Sequence, residues 1–246
     1  MNKLVVAAMV SAIFMFPMGA FGHHAREYIE VESYETLPRG RFTGLLNYDF
    51  FSPRRDFAES HWEITPTFLY GITDCLMADV HTHISRFKGK TTFVEAIAAG
   101  LQYKLTKSWP FNLDIGFLLE YEYPTDRSRD EIDGVDVLMG TLIVSREWPH
   151  DINTVLNVSY EDEMHYGDNS TTSYAFGIKS HIIPRIERLE MGVEFVGTFG
   201  ANKECRVIPG AYMNIGKSRI LKIGTGYGLT NHSDDYSFHL HLVFNW

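Results

Sequence analysis

The chain has 246 residues, a formal net charge of −9 and two cysteines. That acidic balance argues against nucleic acid as a partner, and Cys75 with Cys205 are too few for a disulfide scaffold and form no CxxC redox motif. The length suits one domain or one barrel, and no linker or low-complexity tract divides it.

Lys3 gives the N-terminus a positive start, and Leu4 to Pro17 form an apolar run too short to span a bilayer as a helix. The run closes on Met18-Gly19-Ala20-Phe21-Gly22, whose small residues Ala20 and Gly22 suit a signal-peptide cleavage site. Residues 1–22 are therefore expected to be a signal peptide, 23–40 a periplasmic N-terminal segment and 41–246 the folded body. Loss of Lys3 takes the net charge from −9 to −10.

Beyond residue 40 the chain falls into segments in which apolar and polar side chains alternate with period two, the pattern of half-buried strands. These segments lie near 41–51, 59–70, 75–86, 93–105, 110–123, 134–147, 152–162, 172–183, 188–199, 206–216, 219–229 and 236–246. In the fifth, Phe111, Leu113, Ile115, Phe117, Leu119, Tyr121 and Tyr123 share one face, while Asp114, Glu120 and Glu122 lie on the other. The last segment repeats this, with Tyr236 to Trp246 as the apolar row and Ser237, His239 and His241 opposite. The expected fold is all-β: a transmembrane antiparallel up-and-down β-barrel of about 12 strands in the Gram-negative outer membrane.

Two patterns favour this over a soluble all-β protein with a signal peptide, which would alternate in the same way. Charged residues nearly vanish from the apolar row, and that row ends in aromatics such as Tyr48, Trp62, Tyr70, Tyr103, Tyr121, Tyr160, Tyr227 and Trp246, as interfacial girdles require. The connections agree as well. With the N-terminus periplasmic, the segments at 71–74, 106–109, 148–151, 184–187 and 216–218 are tight inner turns, and the longer acidic stretches 124–133 and 162–170 are outer loops. Gly210, Gly224, Gly226 and Gly228 fall on the polar row, leaving room on the inner wall. Cys75 and Cys205 fall at opposite rims, too far apart to be bridged.

The stretch Leu221-Lys222-Ile223-Gly224-Thr225-Gly226-Tyr227-Gly228-Leu229-Thr230-Asn231-His232-Ser233-Asp234-Asp235, with Tyr70-Gly71-Ile72-Thr73-Asp74, resembles the phenol-degradation meta-pathway outer-membrane protein family. That resemblance implies a barrel that passes small organic molecules. It implies no catalytic or binding residue, and the histidine-rich polar row departs from a simple aromatic-solute channel.

With the polar row facing inward, one wall presents Asn47, Asp49, His61, Glu63, Asp79, His81 and His83, and barrel closure brings His239 and His241 beside the first strand. Imidazoles mixed with carboxylates change charge between pH 5 and 8 or bind a divalent transition metal, but lumenal polar residues by default bond one another and water. The opposite wall presents Lys179, His181, Arg188, Glu190, Glu194 and Lys222, whose expected role is neutralisation of a wet or plugged interior. No histidine falls in the apolar row, where a membrane-embedded lipid hydrolase needs one, so an enzyme is not expected. The expected function is passive passage of small solutes, with a closed structural or adhesive barrel as the alternative and an embedded enzyme as the third reading. Membrane lipid and small solutes are the expected partners, and no cofactor is expected.

Overall fold

The computed structural model describes residues 28–52, 60–87, 91–109, 113–125, 136–164, 170–181, 189–200, 203–216 and 218–246. Twelve strands follow in chain order: β1 (Phe42–Ser52), β2 (His61–Thr73), β3 (Leu76–Phe87), β4 (Phe93–Trp109), β5 (Leu113–Pro124), β6 (Val137–Trp148), β7 (Ile152–Glu163), β8 (Ser170–Ser180), β9 (Leu189–Thr198), β10 (Cys205–Asn214), β11 (Arg219–Gly228) and β12 (Tyr236–Asn245). Each pairs antiparallel with its sequence neighbour, and β1 closes on β12 through a continuous register from Thr43↔Asn245 to Ser52↔Tyr236. Closure leaves no edge strand, which a span through hydrocarbon demands.

The strands coincide with the alternating segments of the sequence to within a few residues. The largest difference is at β4, which continues through the expected turn at 106–109 and pairs Trp109 with Leu113 across a register shift. The tight turn after β6 has positive φ at His150 and Asp151, 69° and 55°, a conformation polar turn residues accept more readily than branched ones. The expected inner turn at 184–187, and most of the outer loops 124–133 and 162–170, lie outside the described residues.

The two faces of the wall have opposite character. Phe68, Leu101, Phe117, Leu119, Leu142, Leu156 and Phe176 all expose their side chains on the outer face, and Tyr70, Tyr103, Tyr121, Tyr123, Tyr160 and Tyr227 stand exposed on the same row. A water-soluble barrel would bury that row. The buried side chains belong instead to the inward row and include Thr67, Asp79, His81, Gln102, Asn157, Lys179, Glu194, Lys222, His239 and His241. Apolar residue outside and polar residue inside is the arrangement of a transmembrane barrel.

The N-terminal segment corrects the sequence reading. Residues 23–40 are expected in the periplasm; of them 23–27 lie outside the described residues, and Tyr28, Ile29, Val31 and Leu37 are buried inside the barrel. Tyr28, Ile29 and Val31 pack on Leu118, Ile143, Val155, Val196, Ile208 and Tyr212. Leu37 joins Leu45, Leu69, Met77, Ile220 and Val243 toward the end of the barrel where β1 begins and β12 ends. The reason is visible in the inward rows. They carry apolar residues, Leu118, Ile143, Val155, Val196 and Ile208 among them, and such residues need an apolar occupant rather than water.

Candidate functional site

The segment is held by side chains of the wall. Burying one apolar side chain stabilises by about 1.5–3 kcal/mol, whereas fixing one residue's backbone costs about 1–2 kcal/mol. Residues 30, 32 and 35, all glutamates without an apolar anchor, therefore need hydrogen bonds to stay in place. Glu194 on β9 supplies most of them: its carboxylate accepts from the backbone N–H of Ile29 at 2.7 Å, Glu30 at 2.7 Å and Val31 at 2.9 Å. The Tyr212 hydroxyl donates to the same carboxylate at 2.6 Å. On β7, Asn157 accepts from the Glu32 amide at 2.7 Å and donates to its carbonyl at 3.0 Å. Gln102 on β4 donates to the carbonyls of Ser33 and Glu35 at 2.7 and 2.9 Å. Lys222 on β11 donates to the Tyr28 carbonyl at 2.5 Å, and Tyr28 donates to Asn153 at 2.6 Å.

Small inward residues make the space. A Cβ on Gly177 would fall 2.5 Å from the Tyr28 ring, and one on Gly224 would fall 2.4 Å from Ile29 Cδ1. Two of the glycines singled out in the sequence, Gly210 and Gly224, thus receive the chain's own Ile29.

Of the expected opposite wall, Glu194 and Lys222 are committed to the segment. Lys179 pairs with Glu190 at 2.8 Å, with its ammonium 5.3 and 5.5 Å from the ring centres of Tyr28 and Tyr212. His181 stands 3.7 Å from Glu190. Arg188 lies outside the described residues. Lys222 is not opposite the histidines at all, since it pairs in register with His241.

The histidine wall assembles in the outer half of the lumen. Asp49 on β1 meets two imidazoles of β12 through one carboxylate oxygen, His239 Nδ1 at 2.7 Å and His241 Nε2 at 2.8 Å. Glu63 on β2 meets His83 Nδ1 of β3 at 2.5 Å, and Asp79 meets His81 Nδ1 at 3.1 Å. Two residues expected in this patch behave differently. His61 stacks between Phe51 and Phe87, with centroids 5.0 and 4.9 Å away. Asn47 pairs in register with His241, but its buried Oδ1 makes no hydrogen bond among the described residues.

Sequence reasoning missed Glu120 and Glu122 of β5, which it left as simple water-facing groups. They stand 3.7 Å from His81 and His83 respectively, reaching across β4. The intervening inward positions of β4 are Ala96, Ala98 and Gly100, and a Cβ on Gly100 would lie 2.4 Å from Asp79 Oδ2. That run of small residues at alternate positions was the available signal. The Glu194 cradle was hidden for another reason: a carboxylate that captures backbone amides has no sequence pattern of its own.

Above the segment, a cavity of about 260 Å³ opens between Glu30 and Glu32 on one side and Thr141, Asn157, Ser159 and Arg206 on the other. The lumen is acidic. Asp49, Glu63, Glu120, Glu122 and Glu30 all retain partial exposure to it.

A closed twelve-strand barrel with an apolar outer row, a charged lumen and an inner segment belongs to the outer-membrane β-barrel class of folds. Among solved structures, the COG4313 outer membrane channel from Pseudomonas putida F1 superposes with a TM-score of 0.64 at 13% identity, covering 89% of this chain and 100% of that one. The KdgM porin gives a TM-score of 0.60 at 6% identity over 83% of this chain and 99% of that one. The same porin in complex with disordered oligogalacturonate gives 0.60 at 7% identity over the same shares. At such identities the likeness is one of fold. No protein-family model matches the chain, and no curated protein matches it by sequence.

Proposed function

We propose that the protein is a passive, cation-preferring channel of the Gram-negative outer membrane, exported with loss of residues 1–22 and constricted from within by residues 28–37. The observation that carries this reading is the unequal charge of the lumen. Asp49, Glu63, Glu120, Glu122 and Glu30 meet the lumen, whereas the inward cations Lys179, Lys222 and Arg206 face Glu190, the Tyr28 carbonyl and Glu30. Fixed charge of one sign in a narrow passage with low-dielectric walls raises the local concentration of the opposite ion. The fold shared with a channel and a porin supports transport over a purely structural or adhesive barrel, and over an enzyme. The motifs at 70–74 and 221–235 support kinship with the phenol-degradation meta-pathway family, and with it passage of small organic molecules.

The test is the reversal potential of the purified mature barrel in a planar bilayer under a tenfold KCl gradient. The reading predicts small conductance steps and a reversal potential on the K⁺ side of zero. An insulating barrel, or one that selects chloride, contradicts it.

A further inference from the structure

We infer that the outer half of the lumen contains a binding site for a divalent transition-metal ion, formed by Asp49, His239 and His241 with Glu30 of the inner segment as the fourth ligand. One carboxylate and two imidazoles present donor atoms that all lie within 4.8 Å of one another. Zn²⁺ bonds to nitrogen and oxygen run about 2.0–2.2 Å, which places tetrahedral donors about 3.3 Å apart. Asp49 lies 2.7 and 2.8 Å from the two imidazoles, inside that spacing, and Glu30 stands outside the three, 3.6 Å from His239 Nδ1. An ion among the three wall ligands needs them to part by about half an ångström, and Glu30 completes the set by swinging in from its place between His239 and Arg206.

Two further features fit a built site. The second nitrogen of His239 is held by Ser237 Oγ at 2.8 Å, which fixes the ring so that Nδ1 faces Asp49, the outer support that metal-bound histidines characteristically have. Asn47, in register with His241 on β1, keeps a buried carbonyl oxygen with no hydrogen bond among the described residues. The two imidazoles set the ion class. Hard cations such as Ca²⁺ and Mg²⁺ take oxygen donors, while Zn²⁺, Cu²⁺ and Ni²⁺ accept imidazole. Asp79, His81 and Glu120 form a second cluster with a single imidazole, a poorer match to the same ions. Because Glu30 belongs to the inner segment, an ion bound here ties that segment to the wall.

The inference rests on the channel reading only in that the ion must reach the lumen. Calorimetric titration of the folded barrel with ZnCl₂ in detergent, with 5 mM Mg²⁺ present, tests it without any current. Folding of each variant is checked by heat-modifiable gel migration. One saturable Zn²⁺ site is expected, weakened at least thirtyfold by H239Q/H241Q, at least tenfold by D49N, and less than threefold by H81Q/H83Q. Absence of saturable Zn²⁺ binding to the wild-type barrel overturns the site, whatever the conductance. A loss in H81Q/H83Q as large as in H239Q/H241Q overturns its assignment to these residues. Binding with the expected variant pattern in a barrel that carries no current upholds the site and removes the channel reading instead.

Discussion

The two walls of the lumen are built from the same side-chain chemistry and use it differently. From β7 to β11, Asn157, Glu194 and Lys222 face an irregular stretch of the chain's own backbone and bond to it. Around β12, β1, β2, β3 and β5, Asp49, Glu63, Asp79, Glu120 and Glu122 face imidazoles instead. Backbone amides inside a barrel cannot be left unpaired, so the first wall is fixed by a structural demand. The second wall carries no such demand. Asp49, Glu63, Glu120 and Glu122 keep partial exposure to the lumen, while Asp79, His81, His239 and His241 are buried beside them.

Removing the main anchor strains the comparison most. In Glu194→Ala, three backbone N–H groups and the Tyr212 hydroxyl lose their acceptor. A loss of about 3–5 kcal/mol follows from stranding buried donors, read as an earlier urea midpoint together with a noisier, larger current. Lys222→Met, which removes the donor to the Tyr28 carbonyl, is expected to cost about 1.5–3 kcal/mol. Gly224→Val places a side chain where Ile29 sits, and overpacking of this kind costs about 1–3 kcal/mol. Its distinctive sign is release of the segment, detected as new protease cleavage near residue 30 with the barrel itself intact. Smallest is His81→Gln with His83→Gln on the other wall, expected within about 1 kcal/mol because Glu63, Glu120 and Glu122 still meet water and a Gln amide can donate to the buried Asp79. If that double variant costs as much stability as Glu194→Ala, the distinction between the walls fails.

Period-two alternation made the barrel legible. Strand existence, parity and closure all follow from it, so the Asp49 and His239 pairing across β1 and β12 was readable from the sequence. The interior was less legible, because alternation reports which way a side chain points and not what it meets. Leu118 and Val243 are apolar exceptions in the inward row, and each belongs to an apolar cluster that includes residues of the inner segment. Residues 23–40 have no strand periodicity of their own, so nothing local distinguished a lumenal path from a periplasmic one. The Glu122 and His83 contact was equally hidden, since it skips a strand and depends on Ala96 and Ala98 being small.

The most direct test of the account compares single-channel currents of the mature barrel with those of a chain lacking residues 23–36. Removing the segment clears the space inside the barrel that residues 28–36 fill and, apart from Glu30, leaves the acidic groups of the wall in place. The account predicts a several-fold larger conductance with preference for K⁺ over Cl⁻ retained. An unchanged conductance in a folded deletion variant, or a reversal of its ion preference, contradicts it.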